Sequence, residues 1–272
     1  APAIVMNGGA SGGLDSTTSN DLSNSAEIGS EFGQQIIYAS TIAMAGMGGA
    51  TGYAGAIISA PNQQITTTGN VTLTGGSSNG VTAGSGDQFT YTLGTTTTTY
   101  NLASVAAIGD KNTLIQMLDI GGTLTLNGGS STSGIAMVGS LHGVATGSIK
   151  ANAVSLTSHG SLAFLGGVED IIVTNTFSNV GGAITDNSLG SHPWSIWALN
   201  PTKITGCGTG SGCLADFAQY GLTYGLTANP AIQGSGHGWL YSAAAPALTA
   251  TTSTNYSRVY DSTANAYLAA TN

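Results

Sequence analysis

The chain has 272 residues, of which 6% are charged and 41% hydrophobic. That is about a quarter of the charge of an ordinary soluble domain, and it excludes a disordered, charge-rich chain. Four basic residues, Lys111, Lys150, Lys203 and Arg258, face twelve acidic ones for a net charge of -8, so there is no cationic footprint for nucleic acid or an anionic membrane surface. The polar surface must be built from Thr, Ser, Asn, Gln and backbone, a surface expected to be covered by copies of the chain itself or by glycans.

The chain opens Ala1-Pro2-Ala3, as a mature end left after signal-peptide removal would, which predicts an extracellular protein. The short apolar run Ala3, Ile4, Val5 and Met6 leads into a Gly/Ser/Asn-rich segment holding Asp15, Asp21, Glu27 and Glu31. Residues 1–33 therefore read as an N-terminal arm, which either pairs with something outside the chain or forms an edge strand of its own sheet. Asp15 and Asp21 lack EF-hand spacing for a hard cation. Ile36 to Ala60 carries no charge and is long enough to cross a bilayer, but Gly and Ala leave it weakly apolar and no basic flank orients it. A buried helix or a Gly-bent strand pair is the expectation, and a membrane is an unlikely partner.

Val71-Thr72-Leu73-Thr74-Gly75-Gly76-Ser77-Ser78 returns as Leu124-Thr125-Leu126-Asn127-Gly128-Gly129-Ser130-Ser131. Each copy alternates apolar and polar residues and then meets a Gly pair, which reads as a strand followed by a tight reversal with positive φ. Asp87 to Leu93 alternates too, and Gly94 with five threonines leads to Tyr100, a hairpin pattern. Asp110 is placed to cap a short helix from Asn112 to Leu118. Further strands are expected at Ile135–Val138, Val154–Thr157, Leu162–Leu165 and Ile171–Phe177. The predicted fold is mainly β, an antiparallel β-sandwich of jelly-roll, Ig-like or elaborated type with an N-terminal arm and one or two short helices. A β-solenoid is the alternative, ranked second because only two copies of the repeat are visible.

After Asp186 the texture changes, and three units are expected: the arm 1–33, a β domain 34–186 and an aromatic-rich portion 187–272. Cys207 and Cys213, separated by Gly-Thr-Gly-Ser-Gly, are expected to form a local disulfide in an oxidising compartment. Their spacing matches no usual zinc pattern. Trp194, Trp197 and Trp239 are candidates for a glycan-stacking platform or for core and interface packing. Asn70 and Asn255 head N-glycosylation triplets.

Catalytic machinery is not expected. His142, His159, His192 and His237 stand in turn-like contexts with no nucleophile elbow among the serines. Glu169-Asp170 is the only adjacent acidic pair; neighbours on a strand point to opposite sides instead of facing each other across a substrate, so the pair is expected to mark a solvated turn. No metal or cofactor is expected.

Few charges, abundant Thr, Ser, Gly and Ala, short alternating strands and the free apolar stretch Ala3 to Met6 together resemble the secreted subunits of bacterial or archaeal surface filaments. The resemblance implies a pilus-like homopolymer assembled by strand donation, with Ala3, Ile4, Val5 and Met6 as the donor strand. It also implies partners limited to copies of itself, glycans or host surfaces, and roles in adhesion or biofilm. The second functional expectation is a cell-surface adhesin or surface-layer protein that binds glycans.

Overall fold

The computed structural model describes residues 1–8, 26–30, 32–47, 55–77, 88–93, 96–101, 104–110, 113–130, 134–140, 146–185, 193–208 and 211–246. Its strands pair almost entirely in parallel. β1 (Ile4–Asn7) is followed by two coils of three strands: β2 (Ala26–Gly29), β3 (Gln34–Ala39) and β4 (Ile42–Ala45), then β5 (Ala56–Ser59), β6 (Asn62–Thr67) and β7 (Val71–Thr74). An antiparallel hairpin interrupts, with β8 (Gln88–Leu93) against β9 (Thr96–Asn101) as its alternation leads one to expect. The winding then resumes with β10 (Ala106–Ile108) and β11 (Ile115–Asn127), β12 (Ala136–Gly139) and β13 (Thr146–Thr157), β14 (Ala163–Gly166) and β15 (Asp170–Val180). In these coils one long strand serves both faces that β6 and β7 serve separately, bending where the β11 register shifts between Ile120 and Thr123. The last strands are β16 (Ala183–Thr185), β17 (Ser195–Ala198), β18 (Ile204–Thr205), β19 (Phe217–Tyr220) and β20 (Gly238–Tyr241), which inserts between β17 and β19.

The result is a six-stranded sheet, in the order β16-β14-β12-β10-β5-β2, wound together with a twelve-stranded one. This corrects the antiparallel sandwich: the architecture is a parallel β-solenoid. The two copies of the repeat are adjacent rungs, with Leu124 beside Val71 and Leu126 beside Leu73. Their spacing is long because the β8–β9 hairpin lies in the intervening coil. Alternation and glycine punctuation look the same for a strand entering a hairpin and for one entering a solenoid corner, so neither reports strand direction.

The Gly pairs also serve a different purpose from the one expected. Gly75, Gly76, Gly128 and Gly129 do not have positive φ; they are required by close approach. A Cβ on Gly75 would lie 1.7 Å from the Gly134 carbonyl oxygen, and one on Gly129 would lie 1.8 Å from that of Gly76. The helix expected after Asp110 is absent. Thr113 and Asp110 close a local turn through the Thr113 hydroxyl, which accepts from the Asp110 N–H at 3.0 Å, and Leu118 belongs to β11. Among the described residues the one helical element is a 3-10 turn at Pro201–Lys203. The described parts of Ile36 to Ala60 are strands, and no described helix is long and apolar enough to cross a membrane.

In-register parallel stacking puts like side chains above one another and builds the core as ladders. Ile37, Ile65, Leu118, Ile149, Ile171, Ile196 and Trp239 form one inward column. Ile4, Ile42, Val71, Leu124, Val154, Phe177 and Ile204 form another. Most of these residues are fully buried, each contributing about 1.5–3 kcal/mol of transfer free energy. Cys207 and Cys213 form a disulfide, with Cα atoms 5.1 Å apart, and both are buried in the same core. The sheet runs on from β15 to β17 across the expected boundary near 186.

Candidate functional site

The N-terminal coil shows what a solenoid end leaves unsatisfied. Among the described residues β1, β2 and β3 each have a strand partner on one side only. Ala3 to Met6, the expected donor strand, lies here: Ile4–Asn7 pairs parallel with β4 of its own chain, Met6 buried and Val5 67% exposed. Alternation along β3 turns Gln35, Ile37 and Ala39 inward and leaves Ile36 and Tyr38 outward, 50% and 64% exposed. Phe32 and Ile28 add to the same apolar surface. Beside Phe32 a cleft of about 870 Å³ opens between Glu27, Ser30, Ser59 and Asp110.

Inside this end runs a glutamine ladder. Gln116 Nε2 donates to Gln63 Oε1 at 2.8 Å, and Gln63 Nε2 donates to Gln35 Oε1 at 3.0 Å. Each amide also donates to a backbone carbonyl of its own coil: Gln116 to Ile108, Gln63 to Ile58 and Gln35 to Ile28. Because an amide carries two N–H groups, Gln35 keeps one that no described residue receives. At the other end Gln116 Oε1 is buried without a partner, because the next rung is Gly147.

The three tryptophans do not form one platform. Trp194 is buried and its ring lies 4.7 Å from that of His237, while Trp239 is part-buried and packs on the core. Trp197 alone lies on the outer face. Its indole N–H donates to Asp170 Oδ1 at 2.7 Å, and Tyr224 meets its ring edge-on at 5.3 Å. The Tyr224 hydroxyl reaches Ser148 on β13.

Asp170 therefore does not sit in the solvated turn that its sequence context implied. Burial raises its pKa, and the Trp197 hydrogen bond only partly opposes that rise. Burial, with the Asp170 charge second, likewise raises Tyr224. Nothing in the sequence marks this group, because its members lie on three different coils. A carboxyl whose folded-state pKa is raised stabilises the fold fully below its ordinary value, and that contribution is lost as pH rises through the raised one. Asp170→Asn keeps an acceptor for Trp197 and is expected to melt like the parent at pH 3. It should melt increasingly above the parent as pH rises to 7; thermal melts that run parallel at every pH would show that Asp170 is not held at a cost.

Elsewhere, Asp216 accepts from both the backbone N–H and Nδ1 of His237, at 2.8 and 2.9 Å, and these bonds lower its pKa. Burial and then the nearby Tyr220 push the Tyr241 pKa up to about 12. His159 is exposed; His142, His192, Asn255, Asp15 and Asp21 lie outside the described residues. Asn70 is exposed, and its Oδ1 accepts from the Thr123 N–H at 2.9 Å. No group of three or more His, Cys, Asp or Glu that could hold a metal ion occurs among the described residues.

Fold and sites together define a parallel β-solenoid with an open apolar end and an aromatic-acid cluster on its outer face. No protein family, curated protein or solved structure matches the chain.

Proposed function

We propose that this protein is a non-enzymatic, extracellular structural subunit whose copies polymerise end to end, the coils of one continuing those of the next. The open N-terminal coil carries the reading. Among the described residues, three strand edges without a partner, the spare Gln35 N–H and the exposed Val5, Ile28, Phe32, Ile36 and Tyr38 all belong to the first strands of the solenoid and the corner between them. A row of unpaired backbone groups is a template for another strand, and another parallel coil matches three edges at once. The far end supports the same reading: β19 is a terminal strand, and Leu199, Leu214, Leu226 and Ile232 are each about half exposed. Two different ends that meet make a heterologous contact, which grows open filaments instead of closed dimers.

In this proposal β1 stays in its own sheet and receives a neighbour's strands along its edge, a form of strand complementation that needs no exchange. The scarcity of charge then has a cause, since little surface repels another copy. The test is negative-stain electron microscopy and sedimentation of the parent and of a variant carrying Ile36→Lys and Tyr38→Lys. Charge on an edge strand blocks pairing, and both side chains point outward, so the variant is expected to sediment as a folded monomer where the parent forms uniform filaments. A parent that stays monomeric at every concentration, or a variant that polymerises as readily, would overturn the proposal.

A further inference from the structure

We propose that the outer face of β13, β15 and β17, where Ser148, Asp170, Trp197 and Tyr224 meet, binds a neutral, hydroxyl-rich glycan chain. The inference does not rest on the stacking of copies. Ionised, the Asp170 carboxylate is an acceptor only; Oδ1 takes the Trp197 N–H, and no described residue donates to Oδ2. A ligand that completes it must bring donors. Neither described lysine is engaged there: Lys150 pairs with Asp119 at 3.6 Å and Lys203 reaches Asn175 at 3.4 Å. An anionic ligand would meet the Asp170 carboxylate and the net charge of -8.

The apolar half of the site is aromatic. Trp197 and Tyr224 stand edge-on to one another, Tyr224 41% exposed. Rings of this kind, with a polar tip, suit a ligand that presents C–H groups on one face and hydroxyls at its rim. The register extends the site into a track. Gln64, Met117, Ser148, Asp170 and Ser195 occupy one outward row on successive coils. Rungs are spaced by about 4.8 Å, close to the length of one sugar ring, so successive units of a linear glycan meet successive rungs. A carboxyl kept part-buried without a cation, at a cost to stability, is also how a functional group differs from a structural one.

The test is isothermal titration of the full chain with cellohexaose, maltohexaose, mannohexaose and, as the cationic comparison, the hexamer of glucosamine. At least one neutral hexamer is expected to bind at about 10 mM or below, and Trp197→Ala, Tyr224→Ala and Asp170→Asn are each expected to weaken it at least about tenfold. Unchanged circular dichroism shows that the variants fold. If Trp197→Ala does not fold, the exposed Tyr224 and the near-isosteric Asp170→Asn carry the test. A Val5→Lys variant, altered at the coil end on β1 and outside this row, is expected to bind the same hexamer as tightly as the parent, which separates this site from the coil end. No heat with any neutral hexamer, binding indifferent to all three substitutions, or binding of the glucosamine hexamer alone would overturn the proposal.

Discussion

Gly75→Ala is expected to destabilise the protein by about 3 kcal/mol or more, the upper range for overpacking a core, and to lower its melting temperature by about 6 to 12 °C. One methyl group has this effect because of what it meets. The new Cβ would fall 1.7 Å from the Gly134 carbonyl oxygen and 2.9 Å from the Gly129 nitrogen, and both are backbone atoms that no rotamer change can move. The same corner holds the hydrogen bonds that join one coil to the next: Gly75 N–H to the Asn127 carbonyl at 2.8 Å, and Ser161 N–H to the Gly129 carbonyl at 2.8 Å. To make room the coils must part, and those bonds lengthen together. Gly129→Ala, with 1.8 Å to the Gly76 carbonyl oxygen, is expected to behave alike. Gly208→Ala is the control, because its Cβ meets nothing within 4 Å and its backbone is not in the left-handed region. If Gly75→Ala melts with Gly208→Ala, the coils are not packed backbone to backbone at this corner.

Gln63→Leu is expected to cost about 2–4 kcal/mol although leucine is apolar and similar in size. The substitution strips partners from the ladder, each worth about 1–3 kcal/mol: the Gln116 amide loses its acceptor and Gln35 Oε1 loses its donor, while the Ile58 carbonyl keeps only the Gly109 N–H at 2.8 Å. Gln116 already has an unpartnered Oε1, so its amide would be left with one hydrogen bond, to Ile108. Gln116→Leu is expected to cost a similar amount. The double variant should cost less than the sum of the two, because one hydrogen bond and its orphaned partner are counted in both singles. Strict additivity in chemical denaturation would mean that the two amides do not act as a ladder.

Some elements of this fold are legible in the residues alone. Val71–Thr74 and Leu124–Asn127 read as strands from their alternation, the 88–101 hairpin reads from its threonines, and Cys207 with Cys213 reads as a local disulfide from a flexible five-residue spacer. Each of these is a short-range signal. The helix after Asp110 misleads for the same reason: a capping residue before Leu114, Ile115 and Leu118 satisfies a local rule. The coil above and the coil below then supply strand partners for every residue from Ile115 to Ile120, and the helix loses to them. Asp170 misleads in the opposite direction. Beside Glu169 it looks solvated, but Trp197 and Tyr224 arrive from coils further along and cover it.

Composition and alternation alone mark the chain as β-rich, poor in charge and built from a strand-glycine unit used at least twice. These properties follow from composition and period two, which any β architecture obeys. Only the tertiary structure decided that the strands run parallel, that the Gly pairs are places of backbone contact instead of reversals, and that Trp194 and Trp239 pack inward while Trp197 faces outward. The physical reason is that direction and register in a solenoid are set between coils, by ladders such as Ile65-Leu118-Ile149 and Gln35-Gln63-Gln116. Their members are some 20 to 50 residues apart, and no local pattern records which of them will stack.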